Sequence, residues 1–249
     1  MTSLPGSQEP SHRLDTKPPR PAVPHFWISL PLCLLVMAVA NVATNRFSAA
    51  NVAIGIAFTA ALAAIAWTSG LRLTDLGLAR STWGRGLRWG GAFTGIVFVG
   101  FGLALLVPPI HSLMAGTGAG SWEHTLVTVF VIIPLATVIP EEFAFRGVLW
   151  AMVRSRSTRK MATAVSSALF GIWHTLPSLS GGAANHAADQ IVGGGTTGAV
   201  LRTLGTILFT AAAGVLFCEI RVRSDSLLAP MLAHWSVNGV GTIFVQLAG

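Results

Sequence analysis

Two adjacent carboxylates and an arginine lie inside an apolar run of this chain, in the segment PEEFAFR from Pro140 to Arg146. A charged side chain at membrane depth costs at least about 2.5–3.5 kcal/mol, so it is normally paired and usually functional. Glu142 and Arg146 are four residues apart and can pair on one helix face. Glu141 points about 100° away around the same helix and needs another partner or a proton. A structural salt bridge would explain Glu142 and Arg146 but not Glu141.

Two other apolar runs also contain polar residues at helical spacing. The segment FGIWH contains Phe170 and His174, and the segment HWSVN contains His234 and Asn238. Counted from the nearest basic cluster at about 1.5 Å per residue, Glu141 and these two histidines lie about 17–21 Å into the membrane, and Asn238 about 23 Å. Three helices that bring such groups to one layer predict a buried site that contains water.

These residue types suit hydrolysis of an amide bond without a covalent nucleophile. A desolvated Glu141 can act as a general base, and His174 can help to hold and polarise the same water. A neutral His234 and the amide of Asn238 can donate to the oxyanion that develops on the attacked carbonyl.

A metal-dependent version of this site remains open. Glu141, His174 and His234 would supply two imidazoles and one carboxylate, which is a ligand set for a hydrolytic divalent metal such as zinc. The sequence contains no HExxH or similar local metal motif.

The composition predicts an all-α, polytopic bundle of transmembrane helices. The 249 residues are 52% hydrophobic and only 10% charged, whereas soluble domains have about 25% charged residues. The net charge of +7 arises from short basic clusters between apolar runs, which determine topology and do not indicate nucleic-acid binding. Cys33 and Cys218 both lie in apolar runs, where we expect small buried hydrophobic residues.

The hydropathy pattern predicts a disordered cytoplasmic tail over residues 1–24 and a transmembrane domain over 25–249. Seven spans are expected, at about 26–44, 47–67, 88–107, 125–153, 161–179, 199–220 and 226–248. With a cytoplasmic N-terminus, nearly all the basic residues outside the spans fall on the cytoplasmic side and only Arg46 lies outside. Pro134 and Pro140 should kink the fourth span or mark its re-entry into helix.

The three motifs, EEFAFR, FGIWH and HWSVN in this order, resemble those of the CPBP family. This family comprises CAAX-type prenyl proteases and Abi-like proteins of bacteriocin processing or self-immunity. Its patterns are EExxxR, FxxxH and HxxxN, and the chain departs from none of them. The upstream LRLTDLGL and the approach SLLAPMLAHWSVNG are also similar to family segments. The resemblance covers about residues 70–245, with a motif core within about 125–245.

The resemblance implies an intramembrane endopeptidase, which in eukaryotic relatives cuts a C-terminal tail after prenylation. By motif position, Glu141 and His174 would activate water, and His234 and Asn238 would form the oxyanion site. Glu142 and Arg146 would support the fourth helix, and Phe170 would pack beside His174. The family is described both as metal-dependent and as glutamate-dependent without metal, and the specific substrate does not carry over.

Two other classes of function also fit such residues. Intramembrane glutamates and histidines build proton relays in transporters, although the sequence shows no internal repeat. A non-catalytic binding or immunity protein could hold a peptide in the same cavity. For the leading prediction, a protease, the expected partners are the bilayer and a peptide or membrane-protein substrate, with the chain in the plasma membrane as a multi-pass protein.

Overall fold

The computed structural model describes residues 23–115, 120–179, 193 and 195–249. Nearly all of the predicted N-terminal tail, residues 1–22, lies outside the described residues, so its disorder remains a prediction. The described part of the chain is helical and contains no strand. The prediction of an all-α, polytopic helical bundle is therefore confirmed.

Ten helices are used in the description that follows. They are α1 (Phe26–Arg46), α2 (Asn51–Thr68), α3 (Leu73–Leu76), α4 (Trp83–Leu105), α5 (Pro108–Ala115), α6 (Trp122–Arg156), α7 (Arg159–Trp173), α8 (Thr175–Leu179), α9 (Gly195–Ser224) and α10 (228–248).

Among the described residues, five helices are long and apolar enough to cross a membrane: α1, α2 with its preceding turn, α3 continued into α4, α6 and α9. The expected count of seven is not met, because two predicted spans fall below these criteria. Helix α7 has 15 residues, fewer than the roughly 20 that a bilayer requires. Helix α10 includes the polar residues His234, Asn238 and Gln246, which lower its hydropathy.

Helix α6 continues through both of its prolines. Pro134 lies within a π-helical segment, Thr128–Val138, and Pro140 lies just before a second one, Phe143–Leu149. Proline lacks an N–H and clashes with the carbonyl four residues earlier, so the ordinary hydrogen-bond ladder cannot form there. The helix is continuous at both prolines, so it does not re-enter there as one alternative predicted, and the wider turns accommodate the missing hydrogen bonds. A third π-helical segment, Ser236–Val240, lies in α10, and such turns are frequent at functional sites.

Glycines allow the helices around the site to pack closely in pairs. A Cβ on Gly171 of α7 would lie 2.6 Å from the Ile207 carbonyl oxygen of α9. A Cβ on Gly90 of α4 would lie 2.6 Å from the Leu232 Cβ of α10. Small residues at such contacts let helix backbones approach one another in membranes. The pairs α7–α9 and α4–α10 are thereby held in a fixed register.

The central helix of the bundle is α6. Its segment from Val138 to Met152 is almost entirely buried, and it packs against α1 and α2. Cys33 lies in this core, and Cys218 lies in a smaller cluster beside Trp150. Both cysteines are buried and free, as predicted.

The segment LRLTDLGL before α4 is joined to the turn between α9 and α10. Arg221 at the end of α9 is buried, and its Nη2 donates to the Asp75 carbonyl oxygen at 3.1 Å. The guanidinium lies against Gly77, which has a φ of +74° and no space for a Cβ. The backbone N–H of Leu227 also donates to the Gly77 carbonyl oxygen, at 2.8 Å. This loop is therefore held rigidly at one end of the bundle.

Candidate active site

Glu142 joins two helices through a single carboxylate oxygen. Its Oε1 accepts a hydrogen bond from Arg146 Nη1 at 2.9 Å and lies 2.8 Å from His234 Nδ1. The side chains of Glu142 and Arg146 are wholly buried, and that of His234 is nearly so. The pairing of Glu142 with Arg146 on one helix face is as predicted, and His234 brings α10 to the same group.

Aromatic rings surround the Arg146 guanidinium. Its Cζ lies 4.0 Å from the ring centre of Phe170 and 5.1 Å from that of Phe217. Nε and Nη2 have no hydrogen-bond partner among the described residues. Cation–π attraction can contribute about 2 kcal/mol or more when the cation is desolvated. The rings therefore stabilise a charge that hydrogen bonds only partly satisfy.

The hydrogen bond to Glu142 determines which nitrogen of His234 carries a proton. A carboxylate oxygen only accepts, so with Glu142 paired to Arg146 we assign the His234 proton to Nδ1, which then donates to Oε1. The neutral ring then has a lone pair on Nε2. In this tautomer Nε2 can donate a hydrogen bond only when the ring is doubly protonated and positively charged, whereas the sequence predicts a neutral donor. The ring also stacks on Phe217, with centres 5.4 Å apart and an interplanar angle of 28°.

His174 caps the end of α7, and its Nδ1 lies 2.8 Å from the Phe170 carbonyl oxygen. A carbonyl only accepts, so Nδ1 carries a proton, and in the neutral ring Nε2 then has the lone pair. That lone pair can accept a hydrogen bond from water. The ring meets Phe170 edge to face with centres 4.6 Å apart, which agrees with the predicted packing role of Phe170.

Trp173 holds Glu141 and was not among the expected site residues. Its indole Nε1 donates to Glu141 Oε1 at 3.1 Å. The other oxygen, Oε2, is buried and has no hydrogen-bond partner among the described residues. The Trp173 carbonyl accepts from Asn41 of α1 at 3.0 Å, and its ring stacks on Phe58. The sequence feature that could have indicated this role of Trp173 is its position directly before His174. A tryptophan in an apolar run, however, usually only packs.

Three of the four expected catalytic residues line one cavity. His174, His234 and Asn238 meet around a space of about 440 Å³ between α4, α7, α9 and α10. Most of the other described lining residues are apolar, including four phenylalanines and Leu216. Glu141 is not among these lining residues; its carboxylate is bonded to Trp173, the residue next to His174. Phe217 lines the cavity from α9, a helix that carries none of the motifs.

The described residues do not form a metal site from the expected ligands. No group of three or more histidine, cysteine, aspartate or glutamate side chains in this part of the chain is arranged to hold a metal ion. Glu141, His174 and His234 are therefore not brought together as a ligand set.

The comparison with protein families identifies the class to which this site belongs. Residues 123–240 match the family described as type II CAAX prenyl endopeptidase Rce1-like. This range contains all three motifs. The match supports the resemblance to the CPBP family of intramembrane proteases that the motifs indicated. No curated protein and no solved structure matches the chain.

Proposed function

We propose that this multi-pass membrane protein is an endopeptidase that hydrolyses a peptide bond within the bilayer by means of an activated water. The observation that carries the proposal is the cavity where His174, His234 and Asn238 meet. The base of this cavity adjoins the buried Glu142–Arg146 pair through His234. A buried charge network that holds one imidazole of a cavity in a defined tautomer is typical of a catalytic site.

Water activation in this proposal uses Glu141 and His174. The Glu141 Oε2 that lacks a hydrogen-bond partner takes a proton from the water as its oxygen attacks the carbonyl carbon. His174 Nε2 accepts the second hydrogen bond of that water. The C–N bond then breaks, and the proton held by Glu141 passes to the leaving amine. Trp173 keeps Glu141 in place by holding Oε1.

The oxyanion in this proposal is stabilised by α10. The Asn238 amide donates directly, and His234 donates from Nε2 in its doubly protonated form while Nδ1 donates to Glu142. The two donors are four residues apart on one helix, so they approach the carbonyl oxygen from the same side.

The substrate class we propose is an apolar peptide segment within the plasma membrane, because most of the lining residues beside the site are hydrophobic. A C-terminal CAAX-type tail has this character, and bacteriocin-related processing is a second candidate. In this proposal the water is activated by side chains alone, without a metal ion. A metal-dependent mechanism is the alternative, and chelation of the active protein would distinguish the two.

The test is comparative membrane proteomics of cells that express the wild type or Glu141→Gln at matched levels. We expect new protein termini, within or next to transmembrane segments, only with the wild type. Glutamine keeps the shape of the side chain and its bond with Trp173 but cannot take the proton. Loss of at least about 100-fold in cleavage is expected for removal of a general base.

Glu219→Gln is the matched control, since Glu219 pairs with Arg159 and Arg223 away from the cavity. It should leave the set of new termini unchanged. If wild type and Glu141→Gln produced the same termini, the proposed catalysis would be refuted. A cellular effect that persists in Glu141→Gln would then point to a binding or immunity protein, and a proton flux to a transporter.

A further inference from the structure

A second concave region lies between α2, α4, α6 and α10 and contains none of the site residues. Two cavities, of about 630 and 330 Å³, both contact Ile139 of α6 and Met231 of α10. We call this region the α2–α4 groove. It extends from Trp67, near the end of α2, and Arg72, directly before α3, to Pro134 and Trp235.

The lining of the α2–α4 groove suits a hydrocarbon chain better than a peptide. Thr59 donates its hydroxyl to the Gly55 carbonyl oxygen, and the Trp235 indole donates to the Val129 carbonyl oxygen. Among the described lining residues, this leaves only Trp67 and Arg72, at one end, with free polar side-chain groups. A peptide backbone in the bilayer must satisfy all its N–H and C=O groups, whereas an acyl chain has none to satisfy.

The polar end of the α2–α4 groove carries positive charge. Arg72 is exposed, and its guanidinium has no ion pair or hydrogen bond to the described residues. Trp67 is 84% exposed and Leu73 is 63% exposed beside it. Residues 70–88 contain four arginines and one acid. An exposed tryptophan next to an arginine is typical of a membrane interface, where anionic headgroups lie.

The polar end is also rigid. The backbone N–H of Arg72 donates to Asp75 Oδ2 at 3.0 Å. Arg221 and Gly77 join the same loop to the end of α9, as described above. Arg72 therefore projects from a backbone that is already ordered, and a ligand would not have to order the loop when it binds.

From these features we infer that the α2–α4 groove binds one bilayer phospholipid. An acyl chain lies along Ile139 and Met231, and the phosphate of a headgroup with a net negative charge pairs with Arg72. This inference does not depend on the proposed catalysis, because no site residue lines the groove.

Native mass spectrometry of the full-length protein can test this, after equilibration in mixed micelles with palmitoyl-oleoyl phosphatidylglycerol or phosphatidylcholine. The two lipids have the same acyl chains and differ in headgroup charge. We expect about fivefold greater retention of phosphatidylglycerol, which corresponds to about 1 kcal/mol for one basic residue near a membrane surface. Arg72→Gln should reduce this ratio to about one, while Arg88→Gln, an exposed arginine outside the groove, should leave it unchanged.

A second pair of variants tests the acyl-chain site. Ala63 lines the groove and Ala64 does not, and both are exposed on α2. Ala63→Trp should reduce retention of both lipids at least about fivefold, and Ala64→Trp should not. Phosphatidylglycerol with a diazirine on its acyl chain should label wild-type peptides that contain Ile139 or Met231. Equal retention of the two lipids, equal effects within either pair of variants, or labelling elsewhere would each overturn the inference.

Discussion

At the scale of single residues, the candidate site depends on side chains that hydrogen-bond to, or pack against, the proposed catalytic side chains. Glu142 Oε1 accepts hydrogen bonds from both Arg146 and His234, and Trp173 donates one to Glu141. Phe217 stacks on His234 and also lies 5.1 Å from the Arg146 guanidinium. In a low-dielectric interior such contacts are strong, and loss of one partner leaves the other buried and unsatisfied.

Trp173→Phe should reduce cleavage of an apolar substrate about 10- to 100-fold, because it removes the indole donor from Glu141. A hydrogen bond to a charged group contributes about 1.5–3 kcal/mol. Trp235→Phe is the control, since that indole donates at 2.9 Å to a backbone carbonyl away from Glu141. We expect similar decreases in melting temperature but loss of activity only for Trp173→Phe. Equal activities of the two variants would show that the Trp173 bond is merely structural.

Sequence spacing accounts for part of this arrangement. Glu142 and Arg146 are one helical turn apart, and their contact follows from helix geometry. His234 is 92 residues from Glu142, so no local pattern could pair them. Phe217 was not foreseen because an aromatic residue in an apolar span has no distinguishing spacing. The roles assigned to Glu141, His174, His234 and Asn238 stay predictions.

At the scale of helices, glycine determines how closely the walls of the cavity approach. Helix α7 meets α9 at Gly171 and at Gly214, where a Cβ would lie 3.0 Å from the Ser167 Cα. Since His174 and Phe217 belong to these two helices, their separation depends on this contact. Helices α4 and α10 make an equivalent contact at Gly90.

Gly171→Ala should lower the melting temperature in detergent, because the added methyl group would lie 2.6 Å from a backbone oxygen that cannot move aside. Overpacking of this kind costs about 1–3 kcal/mol. Gly205→Ala on α9 is the matched change, with nothing within 4 Å of the new Cβ. It should leave stability unchanged or raise it by up to about 1 kcal/mol. Equal melting temperatures for the two variants would contradict the close-packing argument.

The existence of the helices could be predicted from the sequence more readily than their lengths. Proline positions indicated an irregular fourth span, and the structure has π-helical turns there instead of a break. Helix α7 is shorter than expected because it ends at the cap residue His174. A hydropathy window extends across such a cap, since it registers polarity and not backbone geometry.

At the scale of the whole molecule, composition was sufficient for the fold class. A chain with few charges and long apolar runs can satisfy the hydrogen bonds of its backbone in a bilayer by forming a bundle of helices. Composition could not show that the described residues form one concave region beside the motifs and another between α2 and α4. Their separation depends on which helices neighbour α6 and α10, and that is a matter of long-range packing.

The cavity beside the motifs has a consequence for how turnover must be measured. Phe209 and Leu216 line it from α9 and are 74% and 46% exposed on a helix that can span the membrane. For a substrate that reaches the cavity through the membrane, the effective concentration is its mole fraction among detergent and lipid molecules, and not its molarity in water. At constant bulk concentrations, more detergent in mixed micelles should therefore slow cleavage in proportion to the substrate's mole fraction. A rate that follows molarity instead would indicate delivery from the aqueous phase.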